Sequence, residues 1–427
     1  MELFVLFGTF IFLLLLGVPI AVTLGASAMA TVVYMDIPPM IVFQRMASGM
    51  NVFSLMAIPF FIYAGELMQH GGISERLVRL ANAIIGHIRG GLGLVNVLSS
   101  MLFGGISGSA VADVSALGST LIPMMKEKGY DPDYAVNVTV TSATIGLIVP
   151  PSHNMIIYSI AAGGTVSVSA LFMAGFIPGI LSGLSLMVAT YLVALKRGYP
   201  REVFPGFKIL FLLFAKALPG LMTAIIIVGG VLSGIFTATE SAAIAVIYAL
   251  LVTGFFYRTL KWKNFVEATL GAVKTTAMVL LIIGTAASFA WLLALNQVPD
   301  RLFMLLQTIS DNPIVIMLMV NVILLFLGTF MDMSPLIIIC TPIFLPVMTQ
   351  LGMDPVQFGI VLMVNLGIGL VTPPVGSVLF VGCAVGDVRM EDTTRTIWPF
   401  YLVMVITLLL VTYIPAISMF VPNFLMR

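Results

Sequence analysis

The sequence predicts an all-α polytopic membrane protein of two inverted repeats, each with a re-entrant helical hairpin and a broken transmembrane helix. Three observations predict it: an apolar composition, two apolar segments interrupted midway, and an ungapped internal repeat whose loops carry opposite charge bias. Of 427 residues, 60% are hydrophobic and 9% charged, against about 25% charged in a soluble domain. A formal net charge of +1 excludes a polybasic nucleic-acid surface and an acidic solvating tail. Cys340 and Cys383 lie far apart in apolar runs, which gives neither a disulfide framework nor a cysteine metal site. The apolar stretch from Phe4 to Leu16 follows only Met1 and Glu2; without a basic n-region it reads as mature membrane sequence.

A bilayer-spanning helix needs about 20 apolar residues, about 17 at the short end. Cutting the chain at charged and Gly/Pro-rich breaks predicts ten spans, at 3–17, 20–35, 53–72, 131–163, 169–195, 218–234, 238–257, 275–295, 355–386 and 396–423. Charges at helical spacing make 73–89 and 258–274 amphipathic surface segments. Two segments, 90–125 and 313–348, are apolar but interrupted, the first at Ser107-Gly108-Ser109 and the second around Asp332-Met333-Ser334-Pro335. Each arm of about 15 residues reaches roughly 22 Å, too short for a hydrocarbon core of about 30 Å. Both are therefore predicted as hairpins, whose tips require protein or a water-filled cavity around them.

Positions 120–163 align without a gap on 343–386, superimposing Pro123 on Pro346, Gly129 on Gly352, Asp131-Pro132 on Asp354-Pro355, Gly146-Leu147 on Gly369-Leu370 and Pro150-Pro151 on Pro373-Pro374. The repeat divides the chain into 1–195, a cytoplasmic linker 196–217, and 218–427. If the loop after the first hairpin is cytoplasmic, all Lys and Arg except Arg45, Arg301 and Arg427 fall on that side. Lys126 and Lys128 align with Thr349 and Leu351, whereas the uncharged turn after Gly163 aligns with the one holding Arg389. Equivalent loops thus face opposite sides, and the repeats are inverted.

Inverted repeats with helices broken in mid-membrane are the pattern of a secondary transporter that binds substrate at the midplane. The breaks are Ser107-Gly108-Ser109 and 146–152 in the first repeat, and 328–334 and 367–376 in the second. Paired prolines remove backbone donors and leave carbonyls for a cation, while half-helix N-termini present N–H groups to an anion. That combination suits a cation-coupled anion carrier. Recurrence of Pro-Pro at equivalent positions weighs against simple packing kinks, whereas Ser107, Ser109, Thr144, Ser334 and Thr372 are equally compatible with ordinary helix packing. Intramembrane acids are costly and point to function; the candidates are Glu66 near an interface, Asp113 just after the first tip, Asp332 in the second and Glu240 at a break between spans. For Glu240, direct binding and N-capping with Thr237 or Thr239 stand level. His153, beside Asn154 after the first Pro-Pro, reads as a pore-lining polar group or one satisfied by hydrogen bonds rather than as a proton relay. No Gly-Lys-Ser/Thr pattern follows the glycines of 104–109, no His-Glu-x-x-His occurs, and His70, His87 and His153 supply no plausible Ser-His-Asp set, so the chain is not expected to be an enzyme.

These residues resemble the large membrane subunit of tripartite ATP-independent periplasmic (TRAP) transporters, the DctM-like family, over essentially the whole chain. The resemblance rests on Ala57-Ile58-Pro59-Phe60-Phe61 with Ala64-Gly65-Glu66, Ser107-Gly108-Ser109-Ala110-Val111-Ala112-Asp113, Pro150-Pro151-Ser152, Phe172-Met173-Ala174-Gly175 with Pro178-Gly179, Thr239-Glu240-Ser241-Ala242-Ala243, and Thr372-Pro373-Pro374-Val375-Gly376. Ala238 stands where the family usually has proline. The resemblance implies an elevator-type carrier of the bacterial inner membrane that takes up small organic acids, C4-dicarboxylates or sugar acids. It also implies sodium as the coupling ion, no other cofactor, and two partners: a small four-helix membrane subunit and a periplasmic substrate-binding protein. One implied sodium site takes Ser107, Ser109, Gly146, Val149 and Pro150, and the other Gly328, Asp332, Gly367, Gly369 and Thr372. Substrate is expected against Ser107, Gly108, Ser109, Ser152, Asn154, Ser334 and Gly376, with Asp113 and Glu240 as further intramembrane polar groups. Second readings are a stand-alone dicarboxylate or citrate carrier, and a membrane enzyme or scaffold without transport.

The charge split gives the first prediction. A cysteine placed at Asp311 will react with an impermeant thiol reagent from the periplasm, and one at Lys128 only after the cytoplasmic side is opened; the opposite pattern would overturn the inversion.

Overall fold

The computed structural model describes residues 1–425, except the side chains of Ile106 and Ser107; Arg427 of the charge count lies outside the described residues. All regular structure among the described residues is helical, because apolar segments in lipid must satisfy their backbone groups internally. Five helices are long and apolar enough to cross a membrane, or eight if each of three sharply bent pairs counts as one span. The chain is thus a multi-pass membrane protein.

The N-terminal apolar region is two helices, Glu2–Leu15 and Ile20–Tyr34, packed on each other and separated at Gly17, whose φ of 76° suits glycine. Met40–Met50 precedes the span Phe53–His70 at a 65° bend. Ile73–Ile85 is amphipathic as expected, burying Ile73, Leu77, Leu80 and Ala81. Several boundaries differ from expectation. The linker is shorter than 196–217: Val168–Arg197 ends at Gly198 and helix resumes at Phe207. Lys208 and Lys216 broke the apolar run in the sequence, but both sit exposed on the helix Phe207–Leu232, their stems able to snorkel. Likewise 258–274 is not a separate surface segment. Trp262–Leu295 is one helix of 34 residues, with Lys263 and Glu267 paired on its exposed side at 3.9 Å. Val298–Ile309 is a helix that meets the second hairpin at 118°, and the final span ends at Tyr413, followed by Pro415–Leu425.

Helices Ile20–Tyr34, Met40–Met50, Ala57–His70 and Ala238–Leu251 gather around Trp262–Leu295 and one another. The interrupted helices form a second group. Gly91–Ser107, the first hairpin arm, packs on Pro132–Ala143, and Pro313–Gly328, the second hairpin arm, packs on Pro355–Gly369. Both pairings are polar inside. Asn96 donates to Thr139 Oγ1 at 2.6 Å and accepts from Ser142 at 3.2 Å. In the other pair Asn365 donates to Asn321 Oδ1 at 2.9 Å, and Asn321 donates to Thr412 at 3.1 Å. Tyr134 binds the Thr190 carbonyl at 3.0 Å, and its repeat mate Gln357 binds the carbonyls of Val411 and Thr412. Such buried amides and hydroxyls tie helices where lipid offers no partner.

Glycines bring these backbones together. A Cβ on Gly146 would lie 2.4 Å from Gly104 Cα, and one on its repeat mate Gly369 would lie 2.6 Å from Gly328 Cα. Gly146→Ala should therefore cost about 1–3 kcal/mol of stability through overpacking. Gly229→Ala, in a helix with nothing within 4 Å of a new Cβ, should be neutral or gain up to about 1 kcal/mol. Thermal unfolding of the two variants in detergent measures the contrast.

Candidate functional site

The first hairpin arm ends at Gly108, left-handed at φ 62°. Ser109 then caps the short return turn Ala110–Asp113, accepting from Ala112 N at 3.3 Å. No larger residue fits at 108, since a Cβ there would lie 2.5 Å from His153 Nδ1. The side chain of Ser107 lies outside the described residues. Opposite this tip, Pro132–Ala143 tightens into a 3-10 turn over Thr144–Leu147, the chain is non-helical through the two prolines, and helix restarts as His153–Ala161. A Cβ on Gly105 would stand 3.0 Å from the Pro150 carbonyl oxygen and 3.1 Å from that of Val149, so both oxygens approach the hairpin. Ser152 is fully buried and its hydroxyl has no partner among the described residues.

The second tip is Thr329–Asp332, between Pro313–Gly328 and Met333–Gln350, with Asp332 exposed at the N-cap. The second break runs from Leu370 to Gly376, and Gly376 N donates to the Thr329 carbonyl at 3.1 Å, so tip and break are joined by backbone. Gly376 has φ 48°, and a Cβ there would lie 2.9 Å from the Thr372 carbonyl. Thr372 is half-buried and bonds the Ile368 carbonyl at 2.7 Å.

The two halves meet. A Cβ on Gly367 would contact Thr144 Cβ and Leu147 Cδ1 at 3.6 Å, which puts Gly367 between the breaks. Asn154 Nδ2 donates to the Gly108 carbonyl at 2.9 Å, and Asn154 Oδ1 faces Ser334 Oγ at 3.4 Å. Gly108, Asn154 and Ser334 thus come together, as do Gly105, Val149 and Pro150, and Gly328, Gly369, Thr329 and Gly376. Helices His153–Ala161, Met333–Gln350 and Ser377–Gly386 all begin at these discontinuities. N–H groups at helix starts suit an anion and carbonyls in a break suit a cation, although at the second break Val378 N and Leu379 N already donate to the Leu370 carbonyl and Gly376 N to that of Thr329.

Asp113 is buried, and neither carboxylate oxygen makes a hydrogen bond among the described residues. Glu240 is not a membrane-buried acid. It is exposed and closes a capping box, receiving Thr237 N at 2.8 Å and Thr237 Oγ1 at 2.9 Å while its own N–H donates to Thr237 Oγ1 at 3.2 Å. The turn before it frees the first N–H groups of a helix, where a carboxylate is stabilised. The sequence reading missed the amide ladder of Asn96, Asn321 and Asn365, whose signal was asparagine within otherwise apolar helices. It also missed Arg197, which holds Asp133 at 2.8 and 2.9 Å and Asp131 at 2.9 Å. Glu240→Ala should lower the melting temperature slightly and leave transport per folded molecule unchanged; uptake normalised to folded protein, beside a melting curve, separates a cap from a binding group.

Residues 7–417 match the family model described as the tripartite ATP-independent periplasmic transporter, DctM component. The chain is 42% identical to YgiK of Salmonella typhimurium, an uncharacterized protein, covering 98% of this chain and 97% of that one. It is 41% identical to the sialic acid TRAP transporter large permease SiaM of Vibrio cholerae, over 89% and 88%. Identity to the C4-dicarboxylate TRAP transporter large permease DctM of Rhodobacter capsulatus is 36%, over the whole of both chains. Among solved structures, the YdaH transporter of Alcanivorax borkumensis has the same general fold, with a TM-score of 0.62 at 15% identity over 87% of each chain. The relatives with stated roles are transporter permease subunits rather than enzymes, and this chain belongs to their family, the DctM component of tripartite ATP-independent periplasmic transporters.

Proposed function

We propose that this chain is the permease through which a bacterial inner membrane takes up a small organic acid with sodium, as an elevator of two inverted repeats, 1–195 and 218–427. A small four-helix membrane subunit and a periplasmic substrate-binding protein complete the transporter. The observation that carries the reading is that each tip meets the break of its own half and the two halves touch through Asn154 and Ser334 and at Gly367. Sodium is a hard cation suited to neutral oxygens, and those of Val149 and Pro150 approach the first hairpin. On this reading Ser107, Ser109, Gly146, Val149 and Pro150 hold one ion, and Gly328, Asp332, Gly367, Gly369 and Thr372 serve the other. The acid lies against Ser107, Gly108, Ser109, Ser152, Asn154, Ser334 and Gly376. The names of relatives support an acid as cargo, since sialic acid, C4-dicarboxylates and 2,3-diketo-L-gulonate are all carboxylates.

Proteoliposomes holding this chain and the small subunit, supplied with the binding protein and labelled succinate or sialic acid, test the proposal. Uptake should rise more steeply than linearly with sodium at low concentration, and Thr372→Val should weaken that dependence. Undiminished uptake without sodium under a pH gradient alone would refute sodium coupling and turn attention to the buried acid Asp113. Full uptake by this chain without either partner would refute the three-part assembly.

A further inference from the structure

The first tip is fastened to its break by a side chain, whereas the second is fastened by backbone. Asn154 donates through Nδ2 to the Gly108 carbonyl at 2.9 Å. A carbonyl only accepts, so this bond fixes the amide orientation and leaves Asn154 Oδ1 facing the other tip. There it meets the Ser334 hydroxyl at 3.4 Å, longer than a fully formed O–H···O bond of about 2.7–2.8 Å. Tip two continues the chain, with the Thr329 carbonyl accepting from Gly376 N at 3.1 Å. One side chain therefore links the discontinuities of both halves. Its repeat mate cannot do the same: Ser377 stands at the aligned position, and its hydroxyl has no hydrogen-bond partner among the described residues.

We infer that Asn154 is a positioning residue that couples the two hairpin tips, so that order at one tip is transmitted to the other. The inference rests on the transporter reading above for its purpose, which is to make ion binding at one half felt in the other. The two bonds are unequal in length. Gly108 is held firmly and Ser334 loosely, so closure of the second tip by the roughly 0.6–0.7 Å that shortens 3.4 Å to a full hydrogen bond would engage a first tip already in place. Two sites joined in this way share a coupling free energy, which acts equally in both directions.

Hydrogen exchange on the chain with its small subunit in nanodiscs tests the tie without a transported substrate. In choline chloride, Ser334→Ala removes one oxygen from the helix start just after the second tip, yet exchange of first-tip amides over 105–113 should quicken about two- to threefold, the low end of the worth of one hydrogen bond. Amides of the remote helix Phe207–Leu232 should not change. Asn154→Ala should quicken exchange at both tips, and adding Ser334→Ala to it should have no further effect on the first, the non-additivity expected of one shared interaction. Unchanged first-tip exchange in Ser334→Ala, or a full additional effect of Ser334→Ala in the Asn154→Ala background, would overturn the tie. A sodium chloride titration of the wild type separates this from the transporter reading. If sodium protects neither tip while Ser334→Ala still quickens the first, sodium coupling fails and the tie stands; if sodium protects both tips in the wild type, Asn154→Ala should make the steepness of first-tip protection fall toward that of a single ion.

Discussion

Everything in the inner group of helices follows from one constraint: a helix interrupted within a membrane protein frees backbone N–H and C=O groups that lipid cannot satisfy. Four interruptions must therefore be packed against protein, and glycine lets that happen at backbone distance. Gly104 against Gly146 and Gly328 against Gly369 leave no room for a side chain between hairpin arm and broken helix. The amide ladders of Asn96 and Asn321 lie between the same helix pairs, and each pair is joined through Tyr134 or Gln357 to a further helix. With the arms seated so closely, the tips have few places to go, and they arrive beside the breaks.

Backbone punctuation was the legible part of this fold. Pro150-Pro151, Pro373-Pro374, Gly108 and Gly376 restrict or permit particular conformations whatever surrounds them, so their spacing in the sequence marked the tips and breaks that the structure contains. Charge was a poorer guide to boundaries. Lys208, Lys216, Lys263 and Lys274 ended apolar runs on paper, yet each lies exposed on a helix that continues through it, because a long amphipathic side chain can leave the membrane while its backbone stays. For Glu240 the two readings stood level, and the turn that exposes a helix start decides for the cap with Thr237. Asn154 was legible as a polar group next to a break, but its two partners lie 46 and 180 residues away in the chain and no local pattern names them.

The two halves share their scaffold more closely than their polar chemistry. Glycine meets glycine in both, and an asparagine on the hairpin arm meets the broken helix in both. Beyond that the aligned residues diverge: Tyr134 with Gln357, Ser142 with Asn365, Asn154 with Ser377. Two tips built on similar backbones are thus given unequal restraints, one by an amide side chain and one by a peptide N–H. Backbone attachment is insensitive to most substitutions, whereas side-chain attachment can be tuned by a single change.

The two N-terminal helices contain 14 and 15 residues, about 21–22 Å of helix, beside a hydrocarbon layer of about 30 Å. Phe4, Ile11, Phe12 and Leu15 are exposed along the first of them. Where lipid covers this edge, acyl chains must shorten toward the protein or the flanking residues must be drawn inward, at a cost that grows with each ångström of mismatch. The acyl-chain length of the host membrane thereby acts on the chain at this edge, and a bilayer that is thin there would shorten the path between its two aqueous sides.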